Sequence, residues 1–152
     1  LRERGLTLAA AESCTGGMFA ELATEHPGSS EAFLGGVVSY SNEAKRALLG
    51  VPRELLSGPG APGAVSAETA AAMAEGARER FGSDFAVSFT GVAGPSPAEG
   101  KPPGLVFFAL AEKGRDTLVR EWKLSGSREI VRLRACRAGF YELWKRLKML
   151  RP

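Results

Sequence analysis

The chain has 152 residues, of which 44% are hydrophobic and 24% charged, with 19 glycines and a formal net charge of +3. This composition excludes a disordered tail, a collagen-like repeat and a coiled coil, and the length suits a single domain, residues 1–152, that buries its own core. The longest apolar runs, such as Gly104 to Ala111, fall far below the roughly 20 residues of a membrane-spanning helix, and no basic-plus-apolar export signal opens the chain, so a cytoplasmic protein with no membrane partner is expected. Cys14 and Cys136 lie in no CxxC spacing and beside no His cluster, so neither a zinc site nor a disulfide framework is suggested, and no metal or cofactor is expected.

Leu1 to Gly5 reads as the last turn of a helix closed by a glycine, which implies a domain cut from a longer chain. Leu6 to Ala11 is a continuous apolar run, the pattern of a strand covered on both faces. Ser13-Cys14-Thr15-Gly16-Gly17 then turns into a helix with Met18, Phe19, Leu22 and Ala23 at helical spacing, stopped at His26-Pro27-Gly28. Phe33 to Tyr40 predicts a second strand. Ser41 caps a short helix over Asn42 to Leu49, ended by Gly50 and Pro52. The Gly/Pro-rich segment 57–64 can form neither helix nor ladder and reads as a mobile loop, after which Ser66 caps an Ala-rich helix to Phe81, closed by Gly82. The remainder predicts a strand over Phe85 to Phe89, a loop from Thr90 to Pro103, strands over Leu105 to Ala111 and Thr117 to Leu124 joined by a Gly114-Arg115-Asp116 hairpin, and a helix from Ser127 to Lys148. Strands alternating with helices, plus one hairpin, give an α/β sandwich with a mixed sheet.

The cations gather late: Arg128, Arg132, Arg134, Arg137, Lys145, Arg146, Lys148 and Arg151 stand against only Glu129 and Glu142 after position 127. Such a cluster is either a nucleic-acid footprint or a solvated helix face whose last-turn cations complement the helix dipole. With no aromatic or Gly-rich platform read between the charges, the solvated face is the better reading, and no nucleic-acid partner is expected.

In open α/β sheets ligands bind beyond the carboxyl ends of the strands. Three loops fall there: Glu12 to Gly17, Tyr40 to Lys45, and Thr90 to Pro95. The first sets Ser13 between strand and helix with glycines behind it. That geometry either cradles a phosphate or exposes a nucleophilic hydroxyl beside backbone N–H groups, and a plain capped turn would look the same. It matches neither a Walker motif nor a Gly-x-Ser-x-Gly elbow. A nucleophilic Ser13 needs a base. The one histidine, His26, sits at the far end of the helix, roughly 15 Å away at 1.5 Å per residue, so a Ser-His-Asp triad is not expected. The second loop offers Tyr40 and Lys45, and a lysine base must be stripped of its charge by burial or a neighbouring cation. Cys14 lacks a base and reads as a core residue, while Glu12 reads as an anchor behind the loop or a carboxylate at the helix start.

Three segments together resemble the CinA C-terminal domain family: Ala11-Glu12-Ser13-Cys14-Thr15-Gly16-Gly17, Gly35-Gly36-Val37-Val38-Ser39-Tyr40-Ser41-Asn42-Glu43-Ala44-Lys45, and Thr90-Gly91-Val92-Ala93-Gly94-Pro95. The similarity runs from about Leu6 to Leu147 and includes Gly63-Ala64-Val65-Ser66. The resemblance implies a three-layer α/β/α sandwich with a mixed, mostly parallel sheet, often a homodimer. It also implies hydrolysis of the carboxamide of nicotinamide mononucleotide to nicotinic acid mononucleotide and ammonia, with Ser13 as nucleophile, Lys45 as base and Tyr40 as the partner hydroxyl. From the shape of the loops, the N–H groups around Thr15, Gly16 and Gly17 are expected to face the oxyanion, and Asn42, Thr90, Gly91, Ala93 and Gly94 to receive the nucleotide, with Arg128 as a phosphate contact. A catalytically weak nucleotide-binding regulatory domain is the alternative. The sequence departs from the family pattern at Gly126-Ser127-Arg128, where relatives carry Asp at the middle position, and in the Pro-rich rather than Gly-rich stretch from Ser96 to Pro103.

Overall fold

In the computed structural model, which describes residues 1–150, a 3-10 turn over Arg2–Arg4 closes at Gly5 in the left-handed region. Strand β1 (Leu8–Glu12) passes through a tight turn into helix α1 (Met18–Thr24), and a second 3-10 turn over Ser29–Glu31 precedes β2 (Phe33–Val38). Helices α2 (Asn42–Leu49), α3 (Arg53–Leu56) and α4 (Ala67–Phe81) follow, then β3 (Phe85–Gly91), β4 (Leu105–Glu112), β5 (Leu118–Lys123) and α5 (Arg128–Met149). The strands form one sheet in the order β2-β1-β3-β4-β5. β1 pairs in parallel with β2 and β3, and the two remaining pairings are antiparallel, so only β4 runs against the rest.

Helix boundaries follow the capping chemistry. The Ser41 and Ser66 hydroxyls accept from the N–H groups of Ala44 and Thr69, and Gly50 and Gly82 close the helices at φ 67° and 63°. α3 was not anticipated, because four residues between Pro52 and Ser57 carry no readable periodicity. β1 starts at Leu8 rather than Leu6, since the Thr7 N–H and hydroxyl both donate to the Asp84 carboxylate. β3 continues two residues past Phe89 because Thr90 and Gly91 still pair with Phe107 and Val106.

The sheet is covered on both faces, and the faces differ in bulk. Leu8, Ala10, Phe85, Val87, Phe89, Val106, Phe108 and Leu110 pack against Phe19 of α1 and Val131, Ala135 and Leu143 of α5. Along that layer Phe140, Phe19, Phe89, Phe108 and Trp122 form a chain of ring contacts with centroids 4.2 to 5.4 Å apart. The opposite face presents Ala9, Ala11, Ala86, Ala109 and Ala111 to Ala70, Met73, Ala74 and Ala77 of α4. Small residues on both sides bring α4 close to the sheet, and α2 close to α4: a β-carbon on Gly76 would collide with the Leu49 carbonyl oxygen. Among the described residues no helix is long and apolar enough to cross a membrane.

Candidate active site

The chain leaves β1 on one side to form β2 and returns to its other side to form β3, so β1 is the point where the strand order reverses. Right-handed crossovers on the two sides put α1 and α4 on opposite faces and open a crevice at the carboxyl end of β1. Register sharpens the convergence. Glu12 pairs with Val38 on one side and Phe89 on the other, so Ser13 and Ser39 leave the sheet level with Thr90, which stays paired to β4 alone.

Ser13 is held by its N–H, which donates to the Phe89 carbonyl at 2.9 Å. Its Oγ lies 3.0 Å from Lys45 Nζ, and that amine donates to the Ser39 carbonyl at 2.9 Å. The second bond explains why β2 stops at Val38 rather than Tyr40: the Ser39 N–H still donates to the Glu12 carbonyl, but its own carbonyl has turned toward the lysine. Ser13 is 9% exposed and Lys45 1%. Burial is the main cause that holds the Lys45 amine below the usual lysine range, with Cys14 and Glu99 acting weakly in the opposite sense. Among the described residues no carboxylate forms a salt bridge with it. A serine hydroxyl against a desolvated amine is an arrangement that can serve as a nucleophile with a base within hydrogen-bond reach.

Cys14 behaves as expected of a core residue: it is buried, and burial pushes its thiol up to about 12, so it stays protonated near neutral pH. Tyr40 is 61% exposed, and its hydroxyl accepts from Arg128 at 2.7 Å; among the described residues it bonds to neither Ser13 nor Lys45. The second guanidinium nitrogen of Arg128 donates to the Gly94 carbonyl at 2.9 Å, so Arg128 ties the β2 and β3 loops to the start of α5.

The turn after Ser13 is built differently from the expectation. The buried Glu12 carboxylate accepts from the N–H groups of Gly17, Phe19 and Ala20 at 2.9 to 3.0 Å, capping α1 from beneath. The Gly16 N–H donates to the Ser13 carbonyl. Neither glycine N–H is therefore free to face an oxyanion, whereas that of Thr15 has no partner among the described residues. Arg132, which sequence reasoning did not single out, grips the Thr15 carbonyl with two nitrogens at 2.8 and 3.2 Å. The Thr90 hydroxyl donates to the Ala64 carbonyl, and Gly91 remains in the β3–β4 ladder.

Ser13, Lys45, Tyr40, Asn42, Ala93, Gly94 and Arg128 line one cleft of about 270 Å³, together with Ala64, Val65 and Glu99. The loop at 57–64, read as mobile, is pinned to the Pro-rich loop opposite: Lys101 donates to the Pro62 carbonyl, and the Glu99 carboxylate accepts from Ala64 and Val65. Glu99 was not read from sequence; a lone carboxylate in a Pro/Gly loop carries no signal of its partners.

The late cations are placed only in part as expected. They divide: Arg128, Arg134, Arg137 and Lys148 are exposed, as a solvated face requires, whereas Arg132 and Arg146 reach Thr15 and Glu112 on other elements, Arg134 also donates to Ser125, and Lys145 pairs with Glu142 one turn away on α5 itself. An aromatic pair does lie among them: Tyr141 and Trp144 stack at 5.8 Å, with Lys145 and Lys148 over the rings. Arg151 lies outside the described residues. Among those residues no group of three or more His, Cys, Asp or Glu is placed to hold a metal ion.

Fold and site define an α/β/α domain with a serine–lysine pair at the switch point of its sheet. A family model described as the CinA C-terminal domain matches residues 1–147. The chain belongs to the CinA C-terminal domain family. It is 49% identical over 148 residues to a protein of Bacillus cereus (strain AH187) and 48% identical over 147 residues to one of Geobacillus kaustophilus (strain HTA426), both named as competence-damage inducible. Each match covers 97% of this chain and 35% of the relative, so the chain spans about a third of the length of these relatives. Among solved structures, competence damage-inducible protein A from Klebsiella pneumoniae superposes with a TM-score of 0.93 at 34% identity, covering 99% of this chain and 92% of that one. A competence/damage inducible protein from Agrobacterium tumefaciens gives 0.88 at 40% identity, covering 95% and 87%.

Proposed function

We propose that this domain is an amidase that hydrolyses the carboxamide of nicotinamide mononucleotide, giving nicotinic acid mononucleotide and ammonia. The observation that carries the reading is the 3.0 Å contact between Ser13 Oγ and the buried Lys45 amine. In its uncharged form the amine accepts the hydroxyl proton while Oγ attacks the amide carbon. In the turn, the N–H groups of Cys14, which lines the cleft beside Ser13, and of Thr15 are the candidates to meet the oxygen that gains charge. Collapse of the tetrahedral adduct breaks the C–N bond, the Lys45 proton passes to the departing nitrogen to give ammonia, and water then attacks the acyl-serine with Lys45 again as base.

The cleft is smaller than the roughly 300–1,000 Å³ of sites that enclose a drug-sized ligand. The amide-bearing ring therefore occupies it, and the phosphate lies at the rim, where Arg128 retains unpaired N–H donors. Tyr40 in this scheme orients Arg128 rather than relaying the proton. Arg128 at the cleft and the carboxylate-paired Lys145 and Arg146 support a nucleotide substrate over a nucleic-acid partner. We further propose a cytoplasmic single domain acting as a homodimer: both cysteines are free and buried, and the open edge of β2 exposes Leu34 and Val38, which a second copy would cover.

The test is ammonia release from nicotinamide mononucleotide by the wild type, Ser13→Ala and Lys45→Ala. Loss of turnover in both variants, with melting temperatures near that of the wild type, is expected. A Ser13→Ala protein with undiminished rate removes the nucleophile, and calorimetric binding of the mononucleotide without any ammonia from the wild type replaces the amidase with a nucleotide-binding regulatory domain.

A further inference from the structure

We propose that Glu99 is a specificity-determining residue that reads the positive charge of the ring carrying the scissile amide, in the cleft where Arg128 offers an anion-reading guanidinium. The inference rests on the amidase reading and adds to it a residue and a charge rule. Glu99 is the one carboxylate among the described residues lining the cleft that also holds Ser13 and Lys45. Its backbone sits in the left-handed region at φ 52°, beside Gly100 at φ 69°. A glycine would make that turn without steric conflict, so the turn alone does not call for a glutamate.

The side chain is held rigidly. Oε1 accepts from the Ala64 N–H at 3.2 Å and Oε2 from the Val65 N–H at 3.0 Å. Gly63 makes room for it, since a β-carbon there would lie 2.5 Å from Oε2. Lys101 stands 3.6 Å from Oε2 but donates to the Pro62 carbonyl and does not line the cleft. An ionised carboxylate offers about four acceptor positions, and the two N–H groups leave capacity for a cation.

Arg128, on the same lining, presents a guanidinium with one nitrogen on Gly94 and one on Tyr40. The cleft thus has an acidic pole at Glu99 and a cationic pole at Arg128, on the same lining as the Ser13–Lys45 pair. A ligand whose cationic heteroaromatic ring and anionic tail match those poles is oriented with its amide toward Ser13. A neutral ring on the same tail satisfies only the Arg128 side. A cationic ring also favours the uncharged form of the neighbouring amine, the form that catalysis needs.

Binding is measured by calorimetry in the Ser13→Ala background, which removes turnover, using nicotinamide mononucleotide and its 1,4-dihydro form, whose ring is uncharged. The charged-ring nucleotide is expected to bind tighter by about fivefold, the scale of a partly exposed ion pair. Glu99→Gln should erase that preference, and Lys101→Gln, which relieves the competing cation, should widen it. Glu99→Gln weakening both nucleotides equally would reduce Glu99 to a tie between loops and overturn the proposal, as would an unchanged preference. If neither nucleotide binds, the proposed substrate falls and this inference with it; ammonia release by the wild type alongside equal affinities for both ring forms overturns this inference alone.

Discussion

At the scale of single residues, the chemistry depends on which proton state Lys45 holds. Only the uncharged amine can take the Ser13 proton, and burial, the main influence on the group, lowers its pKa from the ordinary 10.5. Turnover should therefore rise with pH on a limb lying below the ordinary lysine range, and a pH profile of kcat/KM for amide hydrolysis reads it. Tyr40→Phe should leave that limb in place, because the Tyr40 hydroxyl bonds to Arg128 and not to the amine. The same group links protonation to folding. Between its lowered value and 10.5 the unfolded chain binds more protons than the native state, so stability rises with pH across that window and is lost as pH falls through the native value. Lys45→Met, close in length and without charge, should abolish turnover and remove this increment in urea titrations run from neutral to alkaline pH. A variant that keeps the wild-type slope would show that another group is responsible.

At the scale of elements, α2 is the part that carries the base, and its placement is set by α4. Gly76 lets the Leu49 carbonyl oxygen approach the α4 backbone. Gly76→Ala drives a methyl into backbone that cannot swing aside, so the upper part of the ~1–3 kcal/mol range for overpacking applies. The roughly 1 kcal/mol that Ala gains over Gly inside a helix does not offset it. Lower stability in urea together with reduced turnover is the expected result, since α2 and Lys45 move as a unit; a stabilised, fully active variant would show that the helices do not need this contact. The helices themselves were legible from sequence because their signals are local: Ser41 and Gly50 bracket α2, and Ser66 and Gly82 bracket α4, within one turn of each end. What was not legible depends on partners far along the chain. The end of β2 is fixed by Lys45 drawing the Ser39 carbonyl out of the ladder, the Gly16 and Gly17 N–H groups are claimed by Glu12 and Ser13, and Glu99 meets residues 34 and 35 positions away. Ser13 and Lys45 could be paired in advance because each follows the carboxyl end of a neighbouring strand, a relation that topology alone supplies; the direction of the Tyr40 ring is not contained in that relation.

At the scale of the whole molecule, the two faces of the sheet are packed on different terms. A continuous apolar run shows that a strand is covered on both sides, but the alternation of bulk along it says more. Val106, Phe108 and Leu110 point to the aromatic layer under α1 and α5, while Ala109 and Ala111 point to the small-residue seam under α4. That seam is a functional dimension as well as a packing one. Ser88 donates to the Ala70 carbonyl across it, and the start of α4 holds the cleft wall through the Ser66 and Thr69 hydroxyls, both of which donate to the Gly63 carbonyl. Ala109→Leu adds three carbons where Ala109 packs against Ala70 and Ala74 of α4, and the cost of forcing the layers apart is about 1–3 kcal/mol. Intrinsic strand preference runs the other way, since Leu suits a strand better than Ala, so a loss of stability in urea would show that interlayer distance dominates. The displacement of α4 should travel to Gly63, Ala64 and Val65 and from there to Glu99, so the variant should lose affinity for the mononucleotide more than it loses kcat, because Ser13 and Lys45 are anchored on β1, β2 and α2. A stability loss with binding intact would show that the cleft wall is held by Glu99 and Lys101 independently of α4.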